Sequence, residues 1–465
     1  MGFANGAKFD LDVSGIAGFF GGEESIAAMA SVNLIRTRWL LGWYNSPGSY
    51  FVSKKYGIIA NNRFWDGLFP GKDSIPAATL GLDGKHGPKF LGAISGTCIE
   101  MTGHLSHLLF SHCTDVDPLP ATHPTVHEKK STDGSHSSED SDKLESEYLY
   151  SLTIVPRLKA STVSDSKTST PARERSMEEY KTPMSIQGFL AALLTMGFSI
   201  AAAILVAVVW HDYFCCIAIS IGILSNGLAT LVYGSGSLYM RIPSTIPNAV
   251  PGDGILIRDN DMVILRGPES KIASITRGKY KLAYPDAPDY HRIGYVSVAL
   301  FFQAFSQLIL LPVATLKGQI FFLATFALSW IYNASLASVD REKLQFEALR
   351  KMLGLADART YHRKTFMRWA NIVAASAFCL RPIRTDAWLR QLIPNSTPVW
   401  DKWRECIIQS IEHEIKGRTP SFDLPTQGLD EWDNDDKIRL MNHLHDAKIG
   451  YEWYQSQLDL GLKDE

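Results

Sequence analysis

The stretch Ile186–Trp210, IQGFLAALLTMGFSIAAAILVAVVW, runs 25 residues without a charge. A helix rises about 1.5 Å per residue, so about 20 apolar residues cross a hydrocarbon core of about 30 Å. An uncharged buried helix in a soluble protein seldom exceeds about 14 residues, and this run therefore reads as a membrane span. Working outward, a second uncharged run covers Tyr213–Tyr233 (21 residues), a third Ile293–Leu316 (24) and a fourth Gly318–Val339 (22). Only His211-Asp212 and Lys317-Gly318 interrupt the first and second pairs. Connections that short permit tight turns alone and predict two helical hairpins. Trp210 and Tyr213 flank the first turn, while Tyr233, Tyr295, Trp330 and Tyr332 lie toward the opposite ends, where amphipathic rings suit the headgroup zone.

Orientation follows from the cations outside the spans. Arg157, Lys159, Lys167, Arg173, Arg175 and Lys181 precede the first, and Arg241, Arg258, Arg266, Lys271, Arg277, Lys279, Lys281 and Arg292 lie between the second and third. The two short turns contribute only Lys317. An excess of Lys and Arg marks the cytosolic side, so both termini and the 234–292 loop are expected there, with no organelle specified. Residues 1–35 carry no h-region, because Gly21, Gly22, Glu23 and Glu24 interrupt the weak apolar stretch; the first span is expected to act as the insertion signal.

Averages over the 465 residues conceal this pattern. The chain is 46% apolar and 20% charged, with a net charge of −2 and a mean hydropathy of −0.03. A near-neutral balance argues against a nucleic-acid partner. Cys98, Cys113, Cys215, Cys216, Cys379 and Cys406 form neither a CxxC pair nor a short-spaced framework.

Residues 1–113 are expected to be a poorly defined cytosolic region, with a helix over Ser25–Leu41, a turn at Asn45-Ser-Pro-Gly48 and a strand pair in SYFVSKKYGIIAN. Residues 114–184 are rich in Ser, Thr, Asp, Glu, Lys, His and Pro and are expected to form a disordered linker, interrupted by a strand-like YLYSLTIVPRL at 148–158. In the 234–292 loop, GILIRD and MVILRG flank Asn260-Asp261 as a hairpin, and IASITRGKYKLAY suggests one or two more strands. A three- or four-stranded sheet is expected. Beyond the spans, 340–465 reads as a helical cytosolic tail. A helix continues through VDREKLQFEALRKMLG to a stop at Gly354, with a Glu347–Lys351 pair. Trp369–Leu380 is too short to cross a bilayer and reads as an interfacial or packed helix. Residues 341–390 hold 11 basic and 4 acidic side chains, and 391–465 hold 8 and 15. The basic half suits contact with anionic lipid, while the acidic half should face away or fold back onto it.

The sharpest chemical pattern is His104, His107, His112 and Cys113 in GHLSHLLFSHC, followed by His123 and His127. Imidazole and thiolate are metal ligands, and i,i+3 spacing places His104 and His107 on one helical face. No acidic base accompanies them, so a fortuitous His-rich segment is the expectation and these four remain weak metal candidates. Thr195, Ser199, Asn226, Gln303, Ser306, Gln307 and Asn333 are among the polar residues of the spans, and none is ionisable, which argues against ion-coupled transport. Gln303, Gln307 and Asn226 suit interhelical hydrogen bonds. Cys215 and Cys216 are expected to pack within the bundle, and the sequon at Asn395 to remain unused. There is no GxSxG, Walker A or strand-borne GxGxxG, hence no catalytic residue and no cofactor is expected.

The stretches ISIGILSNGLATLVYGSGSL, PGDGILIRDNDMVILRG, ITRGKYKL, LPVATLKGQIFFLATFALSWIYNASLASVDREKLQ and IPNSTPVWDKW resemble multi-pass membrane proteins numerous in mushroom-type fungi. The resemblance covers roughly 185–410 and implies membrane placement; no activity is assigned to those proteins. The expected architecture is thus a mostly α membrane protein, with four transmembrane helices in two hairpins, a small β-rich loop domain and a helical tail. The leading expected function is a non-enzymatic membrane scaffold that presents its cytosolic parts to lipid or to protein partners. A channel or transporter subunit, assembled as a homo-oligomer, is the alternative, and a metal-dependent membrane enzyme ranks third.

Overall fold

A computed structural model describes residues 21–71, 74–114, 150–158, 173–246, 248–355, 361–425, 428–429 and 432–458. The chain divides into two compact units, each assembled from three separate stretches. Met1–Gly84, Arg173–Ile242 and Lys279–Met352 form the first; Lys85–Ala172, Pro243–Gly278 and Leu353–Glu465 form the second.

Four apolar helices long enough to cross a membrane dominate the first unit: Ile186–Trp210, Tyr213–Gly234, His291–Leu310 and Leu316–Ala337. Ser185 caps the first by accepting from the Gly188 amide, and His211 ends it in a left-handed conformation (φ 52°). The second pair of spans turns elsewhere than expected. The break lies at Leu311–Thr315 rather than at Lys317-Gly318. Pro312 has no N–H with which to continue the helix, and the Thr315 side chain caps the next one at Gly318; a tally of charges registers neither effect. The first span packs on the second and fourth, and the second on the third. Asp212 ties the two turns together, accepting from the Thr315 amide (2.6 Å), the Thr315 hydroxyl (2.8 Å) and the Cys215 amide (3.0 Å). Cys215 is buried among the helices and donates to the Gly318 carbonyl.

The N-terminal region overturns its expectation. Residues 21–71 and 74–84 belong to the membrane-helix unit instead of lying apart from it. The helix expected over Ser25–Leu41 is confined to Gly22–Ala30, with 3-10 turns after it, and the expected strand pair is a helix, Ser49–Gly57. Aromatic and β-branched residues made SYFV look like a strand. Packing decides otherwise, because Val52, Ser53 and Tyr56 fall on one helical face and are buried. A three-stranded antiparallel sheet completes this unit, with β4 (Arg173–Ser176) and β8 (Lys279–Ala283) flanking β5 (Ser237–Ile242).

The second unit is built on a six-stranded sheet. Its order is β2 (Cys98–Ile99), β1 (Lys89–Gly92), β6 (Gly254–Arg258), β7 (Asp261–Leu265), β3 (Tyr150–Ile154) and β9 (His362–Phe366). β3 runs parallel to β7, and every other pair is antiparallel. The β6–β7 hairpin and the strand at 150–154 match the expectation. The loop does not form one sheet, however: its strands divide between two, and IASIT is a helix (Glu269–Thr276), with Ile272, Ala273 and Ile275 buried. Trp369–Leu380 is a core helix packed against Asn434–Gln457, which also contacts Pro398–Ile415. Glu347 pairs with Arg350 (3.0 Å) rather than with Lys351, and a break at Ser338–Asp340 separates the fourth span from Arg341–Leu353. Within the tail the acidic half folds onto the basic one, through Arg368–Asp446 (3.1 Å), Arg381–Glu414 (3.4 Å) and Arg390–Asp401 (3.2 Å).

Candidate functional site

The first unit is centred on residues 35–61, which enter and leave its helical bundle at one end. The Arg36 amide donates to Thr182 O (2.9 Å), just ahead of the first span, and the Asn61 amide to Asp289 O (3.1 Å), just ahead of the third. Between these points the chain climbs to mid-height, as a non-helical stretch from Leu41 to Gly48, and returns as the Ser49–Gly57 helix. The Tyr44 amide pairs within the stretch, donating to Gly42 O (2.9 Å), and the spans satisfy further groups. Asn226 Nδ2 donates to Gly42 O (2.7 Å), Gln303 Nε2 to Ser46 O (3.1 Å), and Ser199 Oγ accepts from the Asn45 amide (3.3 Å). Asn45 itself donates to Thr325 Oγ1 (3.0 Å) and accepts from Gln307 Nε2 (3.1 Å). Asn333 accepts from Tyr44 OH (2.7 Å) and donates to Ser25 Oγ (3.1 Å) and Ser46 Oγ (3.0 Å).

Gly21 and Gly48 cap two nine-residue helices, Gly22–Ala30 and Ser49–Gly57, at this mid-height position. Both glycines are left-handed (φ 71° and 73°), a conformation that costs a side chain strain. They lie against each other: a Cβ on Gly48 would stand 2.7 Å from Gly21 O. Two helix N-termini, each carrying a partial positive charge, therefore converge, and Glu23 and Glu24 stand in the first turn of the Gly22–Ala30 helix. The Gly22–Ala30 helix packs on the fourth span and Ser49–Gly57 on the third. Arg38 adds a full charge. Its guanidinium is completely buried, donates to Leu41 O and Tyr44 OH (both 3.0 Å) and lies 5.4 Å from the Tyr332 ring centroid. Around this segment Gln303 Oε1, Gln307 Oε1 and Ser329 Oγ are buried and have no hydrogen-bond partner among the described residues.

The expectation of hydrogen bonds between spans through Gln303, Gln307 and Asn226 thus needs correction. Gln307 does reach Ala218 O (3.3 Å), but the main partners of all three are on the N-terminal segment. A bundle interior free of ionisable groups also proves too simple, since Arg38 arrives from outside the spans. Sequence reasoning missed the segment because nothing in residues 35–48 is long or apolar enough to signal insertion. One signal was present. The inward polar and small residues recur every fourth position, at Thr195/Ser199, Gly222/Asn226/Thr230, Gln303/Gln307 and Thr325/Ser329/Asn333. Four such stripes require a polar filler. Substituting Gly222 with valine would drive its side chain into Asn45 Oδ1. The variant is expected to lose about 2–3 kcal/mol of stability, read as a lower Tm in detergent.

The histidine cluster is a helix of the second unit, His104–Thr114. His104 and His107 do share a face, with ring centroids 6.1 Å apart. Arg258 Nη1 lies 3.3 Å from His107 Nδ1, however, and a guanidinium there opposes a bound cation. Cys113 is fully buried, and burial pushes its thiol up, away from the thiolate that binds metal. His112 stands beside Tyr361, 6.4 Å between centroids. Among the described residues no three His, Cys, Asp or Glu side chains are placed to hold a metal ion. His123 and His127 lie outside the described residues.

No family model, curated protein or solved structure matches the chain.

Proposed function

We propose that this membrane protein forms a passage for small anionic or polar solutes, with residues 38–48 as its selective element. The observation that carries the proposal is the irregular backbone of Leu41–Gly48 at mid-height, held by side chains from all four spans. Non-helical chain at membrane depth is tolerated only inside protein or beside a polar cavity, and a bare anchor gains nothing from including it. Two convergent helix N-termini and the buried Arg38 place positive charge at the centre, and Glu23 and Glu24 in the first turn of Gly22–Ala30 offset one of those termini, so polar as well as anionic solutes fit. The unpartnered oxygens of Gln303, Gln307 and Ser329 supply acceptors for water or for a solute donor.

In the same reading the spans cross as two antiparallel pairs, with both termini and 234–292 cytosolic because the cations cluster there. The resemblance to fungal multi-pass proteins agrees with membrane placement and adds no activity. The test is flux into proteoliposomes, with chloride followed by an entrapped halide-sensitive dye and glycerol by light scattering. Wild type should pass at least one probe well above empty vesicles. Gln303→Leu/Gln307→Leu should reduce that rate about tenfold or more while remaining monodisperse. Flux of both probes equal to that of empty vesicles overturns the proposal.

A scaffold remains the second reading, favoured by one observation: the segment fills the polar interior with the chain's own residues, leaving the folded second unit to meet partners. Capture of a defined partner by protein that shows no flux would select it.

A further inference from the structure

A second feature of the first unit is a cleft of ≈ 520 Å³ on the outer side of the Ser49–Gly57 helix. Ile26, Tyr50, Phe51, Phe69 and Phe301 line it, together with Lys54 and Lys55. Its cations lie toward one end, beside Ile58 and Phe69, the latter packed where Gly57 closes the helix. Tyr50 and Phe51 belong to the first turn of the helix, at mid-height, where the Tyr50 ring lies 6.1 Å from that of Phe301. Lys54 and Lys55 belong to the last turn, near the end where Asn61 meets Asp289 ahead of the third span. Both lysines are exposed, and neither has an ion pair or hydrogen bond among the described residues. Phe301, Phe302, Phe305 and Tyr295 are exposed along the same span, so the cleft adjoins an apolar surface of the kind that faces acyl chains.

We propose that the cleft binds one anionic phospholipid, with an acyl chain against Tyr50, Phe51 and Phe301 and its phosphate between Lys54 and Lys55. Apolar depth beneath a cationic rim is the complement of such a lipid, and the volume is that of a ligand site. The cation-rich end is also the end expected to face the anionic cytosolic leaflet. The proposal rests on membrane placement of the spans and is independent of solute passage.

Native mass spectrometry of the full-length protein, delipidated in detergent and titrated with a phosphatidylserine or a phosphatidylcholine, provides the test. Wild type should retain one phosphatidylserine, about tenfold more tightly than phosphatidylcholine. Lys54→Ala/Lys55→Ala should abolish that preference with unchanged Tm, since both side chains are exposed. Equal retention of the two lipids by wild type, or undiminished phosphatidylserine retention by the double variant, overturns the proposal.

Discussion

Asp212→Ala is expected to lower stability by about 2–4 kcal/mol, enough to reduce the Tm in detergent by several degrees and to shift the protein toward aggregated fractions. The carboxylate caps the second span at Cys215 and accepts both the amide and the hydroxyl of Thr315, so one side chain joins the two turns. Hydrogen bonds to a charged acceptor contribute about 1.5–3 kcal/mol each, and Asp212 is almost fully buried. Thr315 is itself exposed, and water will recover part of the loss. Asp212→Asn keeps an acceptor for one side of the clamp and should cost about half as much. Lys317→Ala, an exposed change at the same turn, is the control. An Asp212→Ala shift no larger than the control's would mean that the turns are not joined through this residue.

The second large effect is expected at Gly450. Here the Asn434–Gln457 helix crosses Trp369–Leu380 so closely that a Cβ would overlap Asn371 O and stand 3.1 Å from the Ala375 amide nitrogen. These are backbone atoms and cannot swing aside. Asn371 Nδ2 to Asp446 O (3.2 Å) and the Phe378–Tyr451 ring pair (4.8 Å) lie on either side of the crossing and would be pulled apart with it. Gly450→Val should cost about 3 kcal/mol or more, and Gly450→Ala somewhat less. The alanine variant gives the sharper reading. On an open helix face Gly→Ala stabilises by about 1 kcal/mol, so the crossing predicts the opposite sign. A higher Tm for Gly450→Ala, or unchanged hydrogen exchange in 369–380, would show that the helices do not meet there.

The two predictions differ in how much of their basis could be read from the sequence. The spans at 186–210 and 213–234 were legible to the residue or nearly so, because hydropathy over 20 residues is a one-dimensional property. The β6–β7 hairpin was legible because alternating apolar residues flank a turn signal. The Leu311–Thr315 turn was placed late, with the third span ending at Leu310 instead of Leu316, since uncharged residues can break a helix as well as extend it. The Ser49–Gly57 and Glu269–Thr276 helices were missed as β-like, their local preference overridden by burial of one helical face.

The polar centre of the bundle lies at the far end of this scale. Ser199, Asn226, Gln303, Gln307 and Asn333 were visible as polar residues in apolar helices, but their partners in residues 25–46 are separated from them by 154 to 308 residues of sequence. Composition therefore determined that four helices suit a membrane and that their interior is polar and uncharged. Only the tertiary structure decided what fills that interior, and it brought in Arg38 with it. Span hydropathy is fixed by each residue's own transfer free energy. The insertion of residues 35–61 is fixed by hydrogen bonds that exist only once four separate helices stand around them.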